Sequence, residues 1–347
     1  MPVLKFGESR LVGYDQPVFI IAEIGQNHQG SLEIAEHLVE EAARVGVDCV
    51  KFQKSTLSDK YAASVLARRY DSPNAFGATY GEHKAFLELP SKAFSNLKGK
   101  AARNGLLMSA SAMDENALDF LVELGVPFIK IGSGDSNNPR LVRKAAQTKI
   151  PLIISTGMSN FSTVKRLYAE ASKPLGLLQC TSAYPTSAGD VNLRVMDTYA
   201  KHFPDAVIGY SGHEEGFVPT LGAVARGAKI VERHFTLDKQ LKGSDHKCSL
   251  NPSDMADMVK QIRQLEVALG SAEKEVLDCE RPCFEKLGKS LVASRYIHEG
   301  EIFTAEHLSV KVVEPHGWCP FEEHQLLGKK AVKNIPKDYP IGEDCVQ

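Results

Sequence analysis

The sequence predicts a (β/α)8 TIM barrel followed by a small separate domain, and three observations carry that reading. Eight short β-rich runs recur within the first 270 residues, each followed by a helix-like segment. The runs are continuous and apolar rather than alternating, which suits strands buried on both faces of a parallel sheet. No G-x-G-x-x-G follows the first run, so the competing doubly wound dinucleotide fold has no positive support.

In order, the runs are VFIIAE (18–23), CVKFQ (49–53), LLMSAS (106–111), FIKIGS (128–133), LIIST (152–156), LLQCTS (177–182), AVIGYSGH (206–213) and KIVERH (229–234). The segments between them read as amphipathic helices. Ser31 is placed to cap the first, whose Leu32, Ala35, Leu38, Val39 and Ala42 share one face, and Gly46 can end it. In the last, Asn251 caps, Pro252 takes the first turn and Gly270 closes the helix. The barrel therefore spans residues 1–270. Residues 271–285 are charged, hold two cysteines and a proline, and read as a linker. Residues 286–347 read as short strands and turns, a domain of their own.

Composition excludes several classes of function. The chain has 347 residues, 43% apolar and 24% charged, as a soluble globular protein does. A net charge of -2 gives no reason to expect a nucleic-acid partner. The longest early apolar run, Val18 to Ala22, is too short for a membrane span or a signal-peptide core. Seven scattered cysteines argue against a disulfide framework and for a reducing, cytoplasmic setting. Cys279 and Cys283 lack the second pair that a zinc site needs.

In a TIM barrel the chemistry sits at the C-terminal ends of the strands. Those ends carry Glu23, Lys51 with Gln53, Ser109 with Ser111, Lys130 with Ser133, Ser155, Ser182 with Tyr184, Ser211 with His213, and Glu232 with His234. A single serine at a strand end is usually a loop residue. A lysine that interrupts an apolar strand needs a reason, because burying an ammonium without a partner is costly. Two lysines with several hydroxyls suit a multiply charged anion, a phosphate or phosphocarboxylate. His213 and His234, on neighbouring strands, suit a divalent metal with open positions, which can act as a Lewis acid. Glu232 has two readings, a partner for a metal-bound histidine or a partner for Arg233. Two rival enzymes share the barrel. A Schiff-base aldolase would use Lys51 or Lys130 as nucleophile but needs no histidine pair. A metal-dependent hydrolase would need more ligands than strand one, ending in Glu23, supplies. A third rival makes the tail an ice- or glycan-binding module, but the tail shows no repeat.

The motifs AEIGQNHQG (22–30), VKFQKS (50–55), TYGEHK (79–84), KIGSGDSNN (130–138), STGM (155–158), QCTSAYP (179–185), GYSGHE (209–214), and ERHFTLDK with KGSDH (232–246) closely resemble those of the sialic acid synthase family. The tail from LGKSLVAS to VKVVEP resembles that family's antifreeze-like (SAF) domain. The likeness covers nearly the whole chain, and its wording is closer to the animal branch. It implies condensation of phosphoenolpyruvate with an open-chain N-acetylmannosamine sugar and loss of inorganic phosphate by C–O cleavage. It implies a manganese or magnesium ion on His213 and His234, polarising the sugar aldehyde. It assigns Lys51, Ser111, Lys130, Ser133, Ser155 and Ser211 to phosphoenolpyruvate. Gln53, Tyr184 and Asp245 fall to the sugar, Asn74 joining them by its spacing to Tyr80, and Glu23 to the sugar and proton transfer. It also implies a domain-swapped homodimer. One departure stands out: Val312 and Val313 occupy the place where bacterial members carry a sugar-contacting Arg. Animal-type members resemble enzymes that use the 6-phosphorylated sugar. Lys60, Arg68, Arg69, Lys84 and Lys242 are candidates for its phosphate by position alone.

Overall fold

An antiparallel hairpin that the strand count did not foresee, β1 (Val3–Phe6) and β2 (Arg10–Gly13), precedes the barrel. The computed structural model describes residues 2–347. Eight parallel strands then close on themselves: β3 (Phe19–Gly25), β4 (Cys49–Lys54), β5 (Leu107–Ala112), β6 (Ile129–Ile131), β7 (Leu152–Ser155), β8 (Leu175–Cys180), β9 (Ala206–Gly212) and β10 (Ile230–His234). Each expected run lies on one of these strands, so the chain has the TIM-type barrel.

Side chains alternate along each strand between the barrel interior and the helices outside. In β3, Ile20, Ala22 and Ile24 join the outer core, and Phe19 and Ile21 the inner one. The inner core also takes Cys49, Phe128, Ile153, Leu178, Val207 and Ile230, and the hairpin adds Leu4, Phe6 and Val12. The hairpin thus plugs the end of the barrel where the strands begin. Further along the strands the same inward parity delivers Glu23, Lys51, Ser111, Lys130 and Glu232. The interior changes from apolar to charged within one layer.

Helix ends follow local chemistry. The Ser31 side chain accepts from the Ile34 amide at the start of helix Leu32–Arg44. Asn251 and Asp254 form a reciprocal capping box at the start of Pro252–Leu269. The connection after β4 is long and carries the short helices Leu57–Lys60, Ala63–Leu66 and Tyr80–Leu87.

The chain divides into two compact units, Met1–Gly270 and Ser271–Gln347. The second has its own core of Leu291, Ala293, Ile297, Phe303, Leu326, Ile335 and Ile341. Its strands β11 (Lys289–Ala293) and β12 (Leu308–Val312) pair antiparallel. The stretch read as a linker is not wholly irregular. Pro282 sits in the first turn of a helix, Arg281–Leu287, that crosses the expected boundary at 285/286.

Candidate active site

Two buried lysines and two buried glutamates form one connected group at the C-terminal ends of the barrel strands. Lys51 Nζ lies 2.5 Å from Glu23 Oε2 and 3.6 Å from Glu232 Oε1. Lys130 Nζ lies 3.4 Å from the same Glu232 oxygen. Lys51 also donates to Ser111 Oγ at 3.0 Å, Ser211 donates to Glu232 at 3.5 Å, and Gln53 donates to Glu23 Oε1 at 3.3 Å. Lys51 and Glu23 thus form a buried ion pair through Oε2, and Glu232 Oε2 has no hydrogen-bond partner.

The two glutamates differ in their fields. Burial pushes Glu23 up to about 7 against the pull of Lys51. Burial also opposes ionisation of Glu232, but Lys130 and Lys51 outweigh it and hold this carboxyl at about 2. Two carboxylates driven apart in this way mark a proton carrier and a fixed counter-ion. Burial works against the Lys51 charge too, yet Glu23 and Glu232 hold its ammonium above the usual value. A lysine kept charged in this way is a poor Schiff-base nucleophile.

Glu232 is therefore the hub that sequence reasoning left open. Arg233 is not its partner. It faces outward from the barrel and bonds Glu214, Nη1 to Oε1, at 2.8 Å. Strand parity was the available signal, since Glu232 shares a face with His234 and two buried lysines require a counter-charge.

A second group lies around Gly157. Its amide donates to Ser133 Oγ at 3.0 Å. A Cβ here would meet Ser182 Oγ at 2.2 Å and Ser133 Oγ at 2.8 Å, so any side chain would push both hydroxyls from their places. Ser155 Oγ and Ser182 Oγ are buried without hydrogen-bond partners. Such unmet donors fit an anionic ligand that supplies acceptors. Ser182 is a functional hydroxyl candidate that the matched set omitted. Ser109 is a strand-end candidate that falls away: it sits one layer deeper and donates to the Phe128 carbonyl at 2.6 Å.

The histidines stand side by side, ring centroids 5.2 Å apart. His213 Nδ1 is 3.0 Å from the Thr181 carbonyl. A carbonyl only accepts, so Nδ1 carries a proton, and Nε2 is the nitrogen that a neutral ring offers as a ligand. Burial lowers the pKa of His234 and keeps its ring neutral. His234 Nδ1 is buried without a hydrogen-bond partner, 3.9 Å from Asp245 Oδ2. An orphaned imidazole nitrogen beside a second free one is the donor set a divalent metal takes, with open positions left for substrate. Among the described residues no group of three or more His, Cys, Asp or Glu side chains is gathered for a metal. Tyr184 packs on both rings, at 4.2 Å from His213 and 5.9 Å from His234. Asn74 Oδ1 accepts from the Gly243 amide at 3.3 Å, which ties the long β4 connection to the loop carrying Asp245.

Fold and site together define a TIM-barrel enzyme whose strand ends gather two buried lysines, unpartnered hydroxyls and a pair of histidines. The profile described as "NeuB family" matches residues 38–274, and that described as "SAF domain" matches residues 288–347. The N-acetylneuraminate-9-phosphate synthase of Homo sapiens is 49% identical, covering 100% of this chain and 98% of its own length. That of Drosophila melanogaster is 44% identical, covering 93% and 94%. The crystal structure of the N-acetylneuraminic acid (sialic acid) synthetase from Leptospira borgpetersenii superposes with a TM-score of 0.69. It is 31% identical, covering 82% of this chain and 97% of that one. The chain belongs to the NeuB family and carries a SAF domain at its C-terminal end.

Proposed function

We propose that this chain condenses phosphoenolpyruvate with N-acetylmannosamine 6-phosphate, in its open-chain aldehyde form, to give N-acetylneuraminate 9-phosphate and inorganic phosphate. The observation that carries the reading is that Lys51 and Lys130, the unpartnered hydroxyls of Ser155 and Ser182, and the rings of His213 and His234 all lie at the C-terminal ends of the barrel strands. The full-length likeness to the human and fly synthases supports the choice of acceptor.

Phosphoenolpyruvate brings a carboxylate and a phosphate. Lys51 and Lys130, already desolvated, meet those charges without further reorganisation. Ser111, Ser133, Ser155, Ser182 and Ser211 orient the anion, and Gln53, Asn74, Tyr184 and Asp245 hold the sugar. C3 of phosphoenolpyruvate attacks the aldehyde carbon, water adds at C2, and the tetrahedral centre expels phosphate by C–O cleavage. Glu23, able to hold or release a proton near neutrality, is the group that passes protons to and from the reacting oxygens. His213 and His234 would hold manganese or magnesium, which supplies Lewis-acid polarisation of the aldehyde. Glu232 stays ionised and fixes both lysines.

We place the enzyme in the cytoplasm, a reading that its seven free cysteines support. We also propose a domain-swapped homodimer, in which the SAF unit covers the partner's barrel mouth and excludes water. With Val312 and Val313 in place of the bacterial Arg, this chain holds the N-acetyl group without a guanidinium from that position.

The test is phosphate release from phosphoenolpyruvate with manganese, using N-acetylmannosamine and its 6-phosphate in parallel, each with a chelator control. Chelator-sensitive release with the 6-phosphate is the expected result. Release with the free sugar alone would overturn the acceptor, and release that survives chelation would overturn the metal.

A further inference from the structure

An acceptor that carries a phosphate needs positive charge at the end of the site away from the histidines. Five basic side chains occupy the right stretches of sequence, and the structure separates them. Arg69 is exposed and its Nε bonds Asp71 at 2.9 Å. Lys60 lies 3.9 Å from Asp135, with Asp114 and Glu88 also acting on it. Its surroundings are acidic and repel a phosphate.

Lys84 is different. It is only partly exposed, on helix Tyr80–Leu87, and among the described residues its ammonium has no carboxylate within ion-pair distance. Its hydrogen bond goes to a neutral amide, Gln26 Oε1, at 2.9 Å. Of the carboxylates that act on it from further off, Glu88 is bonded to Lys54 and Ser55, and Asp245 accepts from Ser244. A desolvated ammonium with only a neutral acceptor is an anion site in waiting.

Its neighbours fit. Lys84 Nζ and the Arg68 guanidinium carbon lie 5.7 and 5.6 Å from the centroid of one ring, Tyr80. Lys242 lies over Phe76 at 4.7 Å, and its carbonyl accepts from Gln29 at 2.7 Å. Lys84 and Lys242 are thus both tied to the loop after β3, through Gln26 and Gln29. The order also fits. His234 is followed by Asp245 at 3.9 Å, and Asp245 acts in turn on Lys84. A linear sugar with its aldehyde at the histidines and its hydroxyls at Asp245 directs its far end towards Lys84.

We propose that Lys84, flanked by Arg68 and Lys242, is the subsite for the terminal phosphate of the acceptor sugar. This rests on the condensation reading above. Lys84 sets specificity between phosphorylated and free sugar and takes no part in bond making.

The experiment compares wild type with Lys84→Met, Lys84→Arg, Arg68→Met and Arg69→Met, with phosphoenolpyruvate and manganese and either sugar as acceptor. Lys84→Met is expected to raise KM for the 6-phosphate by about ten- to hundred-fold, the loss of one charged hydrogen bond. The kcat, the KM for phosphoenolpyruvate and the KM for the free sugar should stay near wild type. Lys84→Arg should retain most of the preference, Arg68→Met should lose part of it, and Arg69→Met should lose none. A Lys84→Met enzyme with unchanged preference for the 6-phosphate overturns the subsite while leaving the reaction standing. Absence of phosphate release by wild type with both sugars overturns the reaction, and the subsite with it.

Discussion

Arg233 and Glu214 form a fully buried ion pair, Nη1 to Oε1 at 2.8 Å, and each is the chain neighbour of one of the two histidines. Glu214 follows His213 and Arg233 precedes His234. Arg233 also donates to Thr220 Oγ1 at 2.9 Å and to the Glu214 carbonyl at 2.6 Å, and Tyr210 donates to Glu214 Oε2 at 2.7 Å. The network sits behind the barrel wall and fastens β9 to β10 where the imidazoles emerge.

Breaking that pair leaves a buried charge without a partner. Arg233→Met or Glu214→Gln should each cost about 3–5 kcal/mol in denaturant unfolding. The double variant should cost much less than their sum. Tyr210→Phe, a milder change, should weaken manganese binding about ten-fold or more, as read by the free-ion EPR signal, because it loosens what orients the ligands. Additive single costs with unchanged manganese affinity would remove the positioning role.

Glu23 and Glu232 share Lys51 but hold their protons differently, about 7 against about 2. Glu23→Gln keeps the shape and removes the exchangeable proton. It should lower kcat by about 10²–10⁴-fold, while phosphoenolpyruvate binding, measured by calorimetry, survives. Glu232→Gln should do the reverse: Lys51 still has Glu23, but Lys130 loses the carboxylate that holds its charge against burial, and phosphoenolpyruvate binding weakens as that ammonium gives up its proton. Equal losses of kcat and of binding in both variants would show that the two carboxylates do not divide the work.

The barrel was legible because parallel strands buried on both faces leave an unbroken apolar record in sequence. Lys51 and Lys130 were legible because each interrupts such a record. Glu232 was not, because its role depends on which strands lie beside it across the barrel, and Glu232 and Lys51 are far apart in the chain. Ser182 lies beyond the end of β8, and only the closeness of Gly157 shows where its hydroxyl points. The hairpin of β1 and β2 escaped notice because VLKF and RLVG are four-residue stretches, too short for periodicity to register.

His28, in the loop after β3, is buried as a neutral ring, and its Nδ1 accepts from the Gly30 amide at 3.1 Å. Burial lowers its pKa to about 4 from 6.5, and a hydrogen bond to Gly25 only partly opposes this. Between those two values the unfolded chain binds the proton that the folded chain refuses. The contribution is therefore full above pH 6.5 and is lost as pH falls towards 4, by on the order of 3 kcal/mol at most. His28→Gln should unfold with a shallower pH dependence over that window in urea titrations. An identical slope in variant and wild type would mean that His28 is not the linked group.

Phe6 comes from the hairpin, yet its ring packs 5.1 Å from Phe19 and 4.7 Å from Phe128, at the end of the barrel opposite the lysines. Those residues belong to the inner core, which the strands alone leave open at that end. Phe6→Ala should open a cavity there and cost about 3–5 kcal/mol of stability. The charged layer lies further along the strands, so KM for phosphoenolpyruvate should not move at temperatures where the variant is folded. Thermal unfolding and steady-state kinetics on one preparation separate the two. A large rise in KM without loss of stability would mean that the hairpin reaches the site in some way other than by closing the barrel floor.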